Sequence, residues 1–347
     1  MPQDKALTFK RLGELWRRAD IPVLDTAGKK YFVFSDTHLG DKSGADDFTA
    51  NEETLRTALD GYRRAGYELI LLGDIEEFWQ FRLDEIAGKY RDTIYDAIKA
   101  FGDDRVHRVY GNHDGDWRTL PDPVKDRPAG AVNATEALKM RDGAGATRIL
   151  LVHGHQGSLE SDKDGWSSRF FVRLYRLAEP FWKALGGGRR PPAMRCQIVR
   201  DYERILYSWA KQEGAMLLCG HSHRAIFASR SYIERLEEDI ARLKAEMDAN
   251  PSDRELTERN RREIKKKQAA IKKEKSRNME IEPAEPGSLP RPCYFNAGCG
   301  LYPDGITGLE IGDDEIRLAK WHRDPKADPR YEIYQRGSLS GFLAARP

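Results

Sequence analysis

Five times along this chain a short apolar run stops at a cluster of histidine, aspartate, asparagine and glycine, and this recurrence restricts the available folds more than any other feature. Tyr31-Phe32-Val33-Phe34 leads into Asp36-Thr37-His38, and Glu68-Leu69-Ile70-Leu71-Leu72 leads into Gly73-Asp74. Val106-His107-Arg108-Val109-Tyr110 precedes Gly111-Asn112-His113-Asp114. Ile149-Leu150-Leu151-Val152 precedes His153-Gly154-His155, and Met216-Leu217-Leu218-Cys219 precedes Gly220-His221-Ser222-His223. Asn296-Ala297-Gly298-Cys299 is a weaker sixth cluster, and of the eight histidines only His107 and His322 fall outside the set. Each run has strand length, and helix-like segments such as 51–64 and 85–101 separate the first three. That alternation indicates an α/β sheet covered on both faces. Loops leaving the carboxyl ends of such strands converge on one crevice, so residues far apart in sequence can meet there.

The chain has 347 residues, enough for one large α/β domain with insertions or for two domains. Only 39% of residues are hydrophobic, so a compact core must coexist with a very polar segment. A net charge of +2 gives no general argument for a nucleic-acid binder. Cys196, Cys219, Cys293 and Cys299 form no C-x-x-C pair, and no secretory apolar stretch opens the chain. The expectation is reduced thiols in the cytoplasm. No run is long and apolar enough to cross a bilayer. The amphipathic, basic-flanked stretch from Leu7 to Trp16 reads as a surface helix, with peripheral attachment at the inner membrane left open.

Two insertions interrupt the scaffold. In the first, 158–214, Trp166, Phe170, Leu174, Leu177, Phe181 and Leu185 recur at helical spacing, Pro180 breaks or kinks the run, and a second helix carries Ile198, Tyr202, Ile205, Leu206 and Trp209. It joins two cluster-bearing strands and therefore lies near their loops, as a helical lid. In the second, 232–278, Ile233, Leu236, Ile240, Leu243 and Met247 alternate spacings of three and four. After a turn at 248–251, Ser252 and Glu255 have capping-box spacing and start a second helix, with eleven Lys/Arg against four Glu from Arg254 to Arg277. A charged antiparallel helical hairpin results, read chiefly as a solvated element and secondarily as a docking face for nucleic acid or anionic lipid. The segments Ile306–Ile311 and Ile316–Trp321 read as a hairpin closing a second sheet layer.

Carboxylate, carboxamide and neutral imidazole are the donors that suit manganese, iron, zinc, cobalt or nickel. Cysteine is missing from all but the weak last cluster, which argues against a closed structural zinc site. Asp36 and His38, two apart at a strand end, can both turn inward. Gly73 lets the backbone approach closely before Asp74, whose two oxygens suit a bridge between two ions. Asn112 offers a neutral oxygen, and His221 and His223 flank one serine. A single histidine such as His153 is ordinarily a hydrogen-bonded core residue. Five clusters on successive strands, two of them four polar residues long, have no packing rationale. His155 reads as a loop histidine.

Those motifs resemble the calcineurin-like metallophosphoesterase superfamily, whose pattern is Asp-x-His, Gly-Asp, Gly-Asn-His-Asp/Glu, His and Gly-His-x-His; the likeness runs from Tyr31 to His223. It implies a four-layer α/β/β/α sandwich with two divalent metal ions, manganese foremost and iron, zinc, cobalt or nickel as alternatives. It also implies roles: Asp36, His38 and His223 on the first ion, Asn112, His153 and His221 on the second, Asp74 bridging, and His113 facing the phosphate with Asp114 orienting it. Two close ions that share a water lower its pKa and supply hydroxide for in-line attack on phosphorus. The expected organisation is an N-terminal extension (1–28), core (29–157), helical lid (158–214), the Gly-His-x-His strand (215–231), charged hairpin (232–278) and closing strands with a tail (279–347).

Within the superfamily, Gly73-Asp74-Ile75-Glu76-Glu77-Phe78-Trp79 resembles the second motif of bacterial UDP-2,3-diacylglucosamine pyrophosphatases, which also carry a helical insertion between the last two histidine motifs. Those enzymes have arginine where this chain has His113, and they lack the charged hairpin. Three readings follow: hydrolysis of a phosphorylated small molecule, nucleotide or phosphoprotein; a lipid-linked pyrophosphatase; and a nucleic-acid-binding protein or nuclease that uses the basic helix.

Overall fold

The computed structural model describes residues 4–118, 134–157, 192–251, 253–277, 293–327 and 330–344. The aromatic run expected between Trp166 and Leu185 lies outside them. The strands are β1 (Val23–Asp25), β2 (Tyr31–Phe34), β3 (Glu68–Leu72), β4 (Val106–Val109), β5 (Ala137–Arg141), β6 (Thr147–Val152), β7 (Met216–Cys219), β8 (Ala225–Phe227), β9 (Arg230–Ser231), β10 (Tyr294–Ala297), β11 (Gly305–Gly312), β12 (Glu315–His322) and β13 (Tyr331–Ser338). The helices are α1 (Lys5–Arg17), α2 (Glu52–Arg64), α3 (Leu83–Tyr90), α4 (Asp96–Lys99), α5 (Pro192–Glu213), α6 (Tyr232–Ala249), α7 (Arg254–Arg277) and α8 (Leu339–Ala344).

Two sheets form, ordered β13-β12-β11-β2-β3-β4 and β1-β5-β6-β7-β10-β8-β9. The strand period of two explains how they stack. Tyr31 and Val33 of β2, with Ile70 and Leu72 of β3, meet Ile149 and Leu151 of β6 and Leu218 of β7 in a core between the sheets. Phe32, Phe34, Leu69 and Leu71 point the other way and pack under Leu55, Leu59, Ile86 and Ile98 of the first helical layer. Leu150, Val152, Leu217 and Cys219 face Leu12 and Leu15 of α1 and Leu206 and Trp209 of α5 in a third core. Strand residues apolar on both faces thus produce the α/β/β/α sandwich.

Within this frame β2, β3 and β4 are parallel neighbours, as are β6, β7 and β10. Their carboxyl ends lie at one edge of each sheet and carry all six polar clusters. The β11–β12 hairpin corrects one expectation. It does not close the second layer but pairs antiparallel with β2, Leu309 opposite Val33, so it extends the first sheet. The second layer is built instead by the strands that carry His153, His221 and Asn296. The helix expected over 85–101 also differs, because a π turn at Arg91–Tyr95 separates α3 from α4.

Helix α1 starts at Asp4, whose carboxylate accepts from the N–H groups of Ala6 and Leu7. Its apolar side chains are spent on the protein: Leu12 and Leu15 are buried, and Trp16 meets Trp209 edge-on at 6.4 Å. Among the described residues no helix is long and apolar enough to cross a membrane.

Residues 232–277 form α6 and α7, packed on each other. Lys267 reaches Asp239 at 2.7 Å, and buried Asn260 donates to Leu243 O at 3.3 Å and to Glu246 at 3.0 Å. These pairs give an antiparallel register. Asp253 caps α7 by accepting from Leu256 N–H at 2.9 Å; Ser252, expected as the cap, is outside the described residues. At its base Arg235 donates to Phe227 O at 3.0 Å and stacks over the Phe227 ring. Arg262 and Lys266 are paired with Glu258 and Glu263, while Arg254, Arg261, Lys265 and Lys272 are exposed. Replacing 232–277 by a short linker should leave hydrolysis of a small aryl phosphate within about threefold and lower the thermal midpoint by a few degrees. Loss of hydrolysis with an intact circular-dichroism spectrum would make the hairpin part of the site.

Candidate metal centre

The loops at the strand ends share an unusual backbone. Asp36, His38, Asp74, His221 and His223 all have positive φ, between 48° and 66°. For residues with a Cβ this left-handed conformation costs about 1 kcal/mol or more each and persists only where the surroundings impose it. Hydrogen bonds between loops do so here: Asp36 N–H to Gly73 O at 3.1 Å, His38 N–H to Asp74 O at 3.0 Å, and Gly220 N–H to His153 O at 2.8 Å. Two glycines make the crowding sterically feasible. A Cβ on Gly73 would fall 2.5 Å from the His153 ring, and one on Gly111 would overlap the Asp74 carboxylate.

Three groups of side chains could each hold an ion: Asp36, His38 and His223; Asp74, His153 and His221; and His38, Glu77 and His113; the expected ligands fill the first two, and Asp74 lies between them. Asp36 Oδ1 lies 3.1 Å from His223 Nε2 and 3.9 Å from His38 Nε2, and the two Nε2 atoms are 3.2 Å apart. In the second group Asp74 Oδ2 lies 3.0 Å from His153 Nε2, with His221 alongside; the same Oδ2 is 3.9 Å from His38 Nε2. Each carboxylate uses its other oxygen on the backbone. Asp74 Oδ1 accepts from His113 N–H at 2.8 Å, and Asp36 Oδ2 accepts from His221 N–H at 2.9 Å. The imidazoles are oriented likewise. His153 Nδ1–H donates to Leu72 O at 2.9 Å and His38 Nδ1–H to Glu77 at 2.9 Å, so both turn a lone pair inward through Nε2.

These lone pairs converge without hydrogen-bond partners. Asp36 Oδ1, Asn112 Oδ1 and His153 Nε2 are buried atoms that make no hydrogen bond. His153 Nε2 and Asp74 Oδ2, 3.0 Å apart, meet as two acceptors when the imidazole is neutral and as an ion pair when it is protonated. Such an arrangement is unfavourable unless positive charge sits between the donors. Oxygen and imidazole donors with no thiolate fit hard or intermediate divalent ions.

The electrostatics agree. Burial opposes charge on Asp36, but His223 and His153 hold its carboxyl down at about 2, and Asp74 also lies well below the usual carboxylate range. Burial likewise works against an imidazolium at His38 and His153. The hydrogen bond His38 donates to Glu77 and the Asp74 and Asp36 charges nevertheless lift His38 to about 9, and the two aspartates lift His153 to about 10. His221 goes the other way: desolvation and neighbouring His153 push it down to about 3, which keeps its lone pair free. Two carboxylates held anionic and one imidazole held neutral favour a cation in the cage.

Each expected ligand is at this edge of the sandwich: Asp36, His38, Asp74, His153, His221 and His223 in the two groups, and Asn112 with its oxygen buried. His113 stands beside them, its ring 4.7 Å from that of His38. One expectation is corrected. Asp114 does not touch the His113 ring, because its two oxygens accept from Gly111 N–H at 2.6 Å and Ile75 N–H at 2.9 Å. Burial, with Asp74 and Glu76 nearby, raises this carboxyl to about 7. The ring is held by Glu77 instead, 2.7 Å from His113 Nδ1. Glu77 therefore serves His38 and His113 together, and although burial opposes its charge these histidines bring it down to about 2. The clue was available in sequence: two consecutive glutamates beyond an apolar strand have no packing role. His155 is also more than a loop residue. It is buried, 5.6 Å from the His153 ring and 6.5 Å from His221.

Because His38 and His153 must lose protons to offer Nε2, metal should bind metal-stripped protein more tightly as pH rises from about 6 toward 9, with protons released. Proton uptake, or affinity independent of pH, would contradict this cage. No curated protein matches the chain. The calcineurin-like phosphoesterase profile matches residues 29–225, which span every loop of the site but the Asn296 strand. With more than half its length in that match and the motif residues gathered at one edge of the two sheets, the chain belongs to the calcineurin-like phosphoesterase family, metal-dependent hydrolases of phosphoric esters.

Proposed function

We propose that the chain hydrolyses a phosphate ester or pyrophosphate at a binuclear centre, and the observation that carries this is the shared Asp74. Its Oδ2 faces His153 of one donor group and His38 of the other. Asp36, His38 and His223 would hold the first ion; Asn112, His153 and His221 would hold the second; Asp74 would bridge. Manganese is the metal proposed first. A bound ion pair supplies Lewis acidity, lowering the pKa of water and offsetting charge on the phosphoryl oxygens.

The chain's own groups do the rest. Backbone N–H bonds to Asp36 and Asp74 fix the carboxylates before substrate arrives, so little reorganisation is needed. Glu77 accepts from His113 Nδ1–H and leaves Nε2 as the open nitrogen, which we assign to protonating the leaving oxygen. Asp114 holds the Gly111 and Ile75 backbone, keeping the loops of Asn112 and Asp74 in register.

For substrate, we propose a phosphorylated small molecule or nucleotide. A UDP-2,3-diacylglucosamine-type pyrophosphatase is the narrower reading, supported by the likeness of residues 73–79 to the second motif of those enzymes. The nucleic-acid reading draws on the exposed cations of α7 alone. A screen of aryl monoesters, bis-aryl esters, nucleotides and UDP-sugar lipids separates the three.

Asp74→Asn should lower the content of both ions and cut turnover by about a hundredfold or more. Two bound ions with full activity would refute the bridge. His113→Ala should keep the metals and slow esters of poor leaving groups by about a hundredfold, with activated esters affected far less. Equal slowing across the series would remove the acid role.

A further inference from the structure

The ring of His113 is held by more than its hydrogen bond. The Trp79 indole lies flat on it, centroids 4.0 Å apart and planes inclined by 22°. The Trp79 Nε1–H donates to Asn112 O at 2.8 Å, which anchors the indole to the residue next to His113 in the chain. On another side stands the edge of His38, at 85° to the His113 ring. Nδ1 is spent on Glu77, and Nε2 has no hydrogen-bond partner among the described residues.

Packing does not account for this indole. Its chain neighbours Phe78 and Phe81 enter the apolar core beneath the first helical layer, whereas Trp79 is half-buried and outside each apolar cluster of the described residues. Its face is spent on a polar ring. The physical need is specific. The torsion that swings an imidazole about its Cβ–Cγ bond is broad, and a single hydrogen bond at Nδ1 leaves the ring able to rock about the contact. A flat aromatic neighbour removes that freedom, and its negative face also attracts an imidazolium. Hydrogen bond and stack together fix where Nε2 points.

We infer that Trp79 is a positioning residue for His113, holding the ring at the angle from which Nε2 meets the leaving oxygen. This rests on the acid role assigned to His113. The indole acts in two separable ways: its face sets the tilt of the ring, and its Nε1–H fixes the backbone at Asn112. Trp79→Phe keeps a face and loses the N–H. Trp79→Leu loses both.

The test uses the full chain, metal-loaded, on a series of aryl phosphates running from nitrophenyl to phenyl leaving groups. Trp79→Leu should lower kcat for the phenyl ester by about tenfold or more, change that for the nitrophenyl ester by less than about threefold, and leave KM and metal content unchanged. Trp79→Phe should recover most of the loss. In the His113→Ala background Trp79→Leu should cost nothing further, since the two act as one unit. A readout apart from activity is the NMR position of the His113 ring protons in protein loaded with diamagnetic zinc, shifted upfield over the indole and returning toward ordinary values in Trp79→Leu. The positioning role is overturned, with the acid role intact, if His113→Ala discriminates between leaving groups while Trp79→Leu slows all esters alike, strips metal, or multiplies the loss in the double variant. If His113→Ala itself shows no such discrimination, the acid role fails and the positioning role with it.

Discussion

Everything at the upper edge of this sandwich depends on one demanding arrangement: lone pairs of buried carboxylates, an amide and imidazoles aimed at one another. Asp36 Oδ1, Asn112 Oδ1 and His153 Nε2 are without hydrogen bonds in a region where an unsatisfied acceptor is costly. Asp74 Oδ2 and His153 Nε2 approach to 3.0 Å. Only positive charge reconciles such a set, and the same carboxylates lift the imidazoles of His38 and His153 against burial.

The fold is organised to impose that arrangement. Six parallel strand ends, three from each sheet, bring the donors to one edge. Left-handed backbone at five of those donors turns the side chains inward, and loop-to-loop hydrogen bonds hold the strained residues. Beneath them Arg108 and Glu76, both buried, pair at 2.6 Å, with Trp117 donating to the same carboxylate at 3.0 Å. That anchor ties β4 to the loop of Asp74 and Glu77. Buried ion pairs add little net stability and are better understood as fixing geometry.

Much of this was legible in the sequence because strand ends announce themselves. An apolar run that breaks into His, Asp and Asn has no packing reason to do so, and the donors it named lie together at one edge. What the sequence hid was pairing. The β11–β12 hairpin is evident from its alternation, but nothing local says that Leu309 will pair with Val33 rather than join the other sheet. The oriented contacts were hidden as well. Asp114 is adjacent to His113 and was expected to hold it. Asp114 instead spends both oxygens on the backbone N–H groups of Gly111 and Ile75, while Glu77, distant in sequence, reaches the ring. The charged hairpin was visible from its heptad spacing, since a two-helix element is specified by local pattern alone.

The central claim is that one carboxylate joins two metal sites, and titrating metal-stripped protein with manganese while recording its paramagnetic resonance tests it most directly. The account predicts two ions bound per chain and the broadened, temperature-dependent spectrum of a spin-coupled pair. A spectrum of isolated ions, or of free aqueous manganese alone, would contradict it.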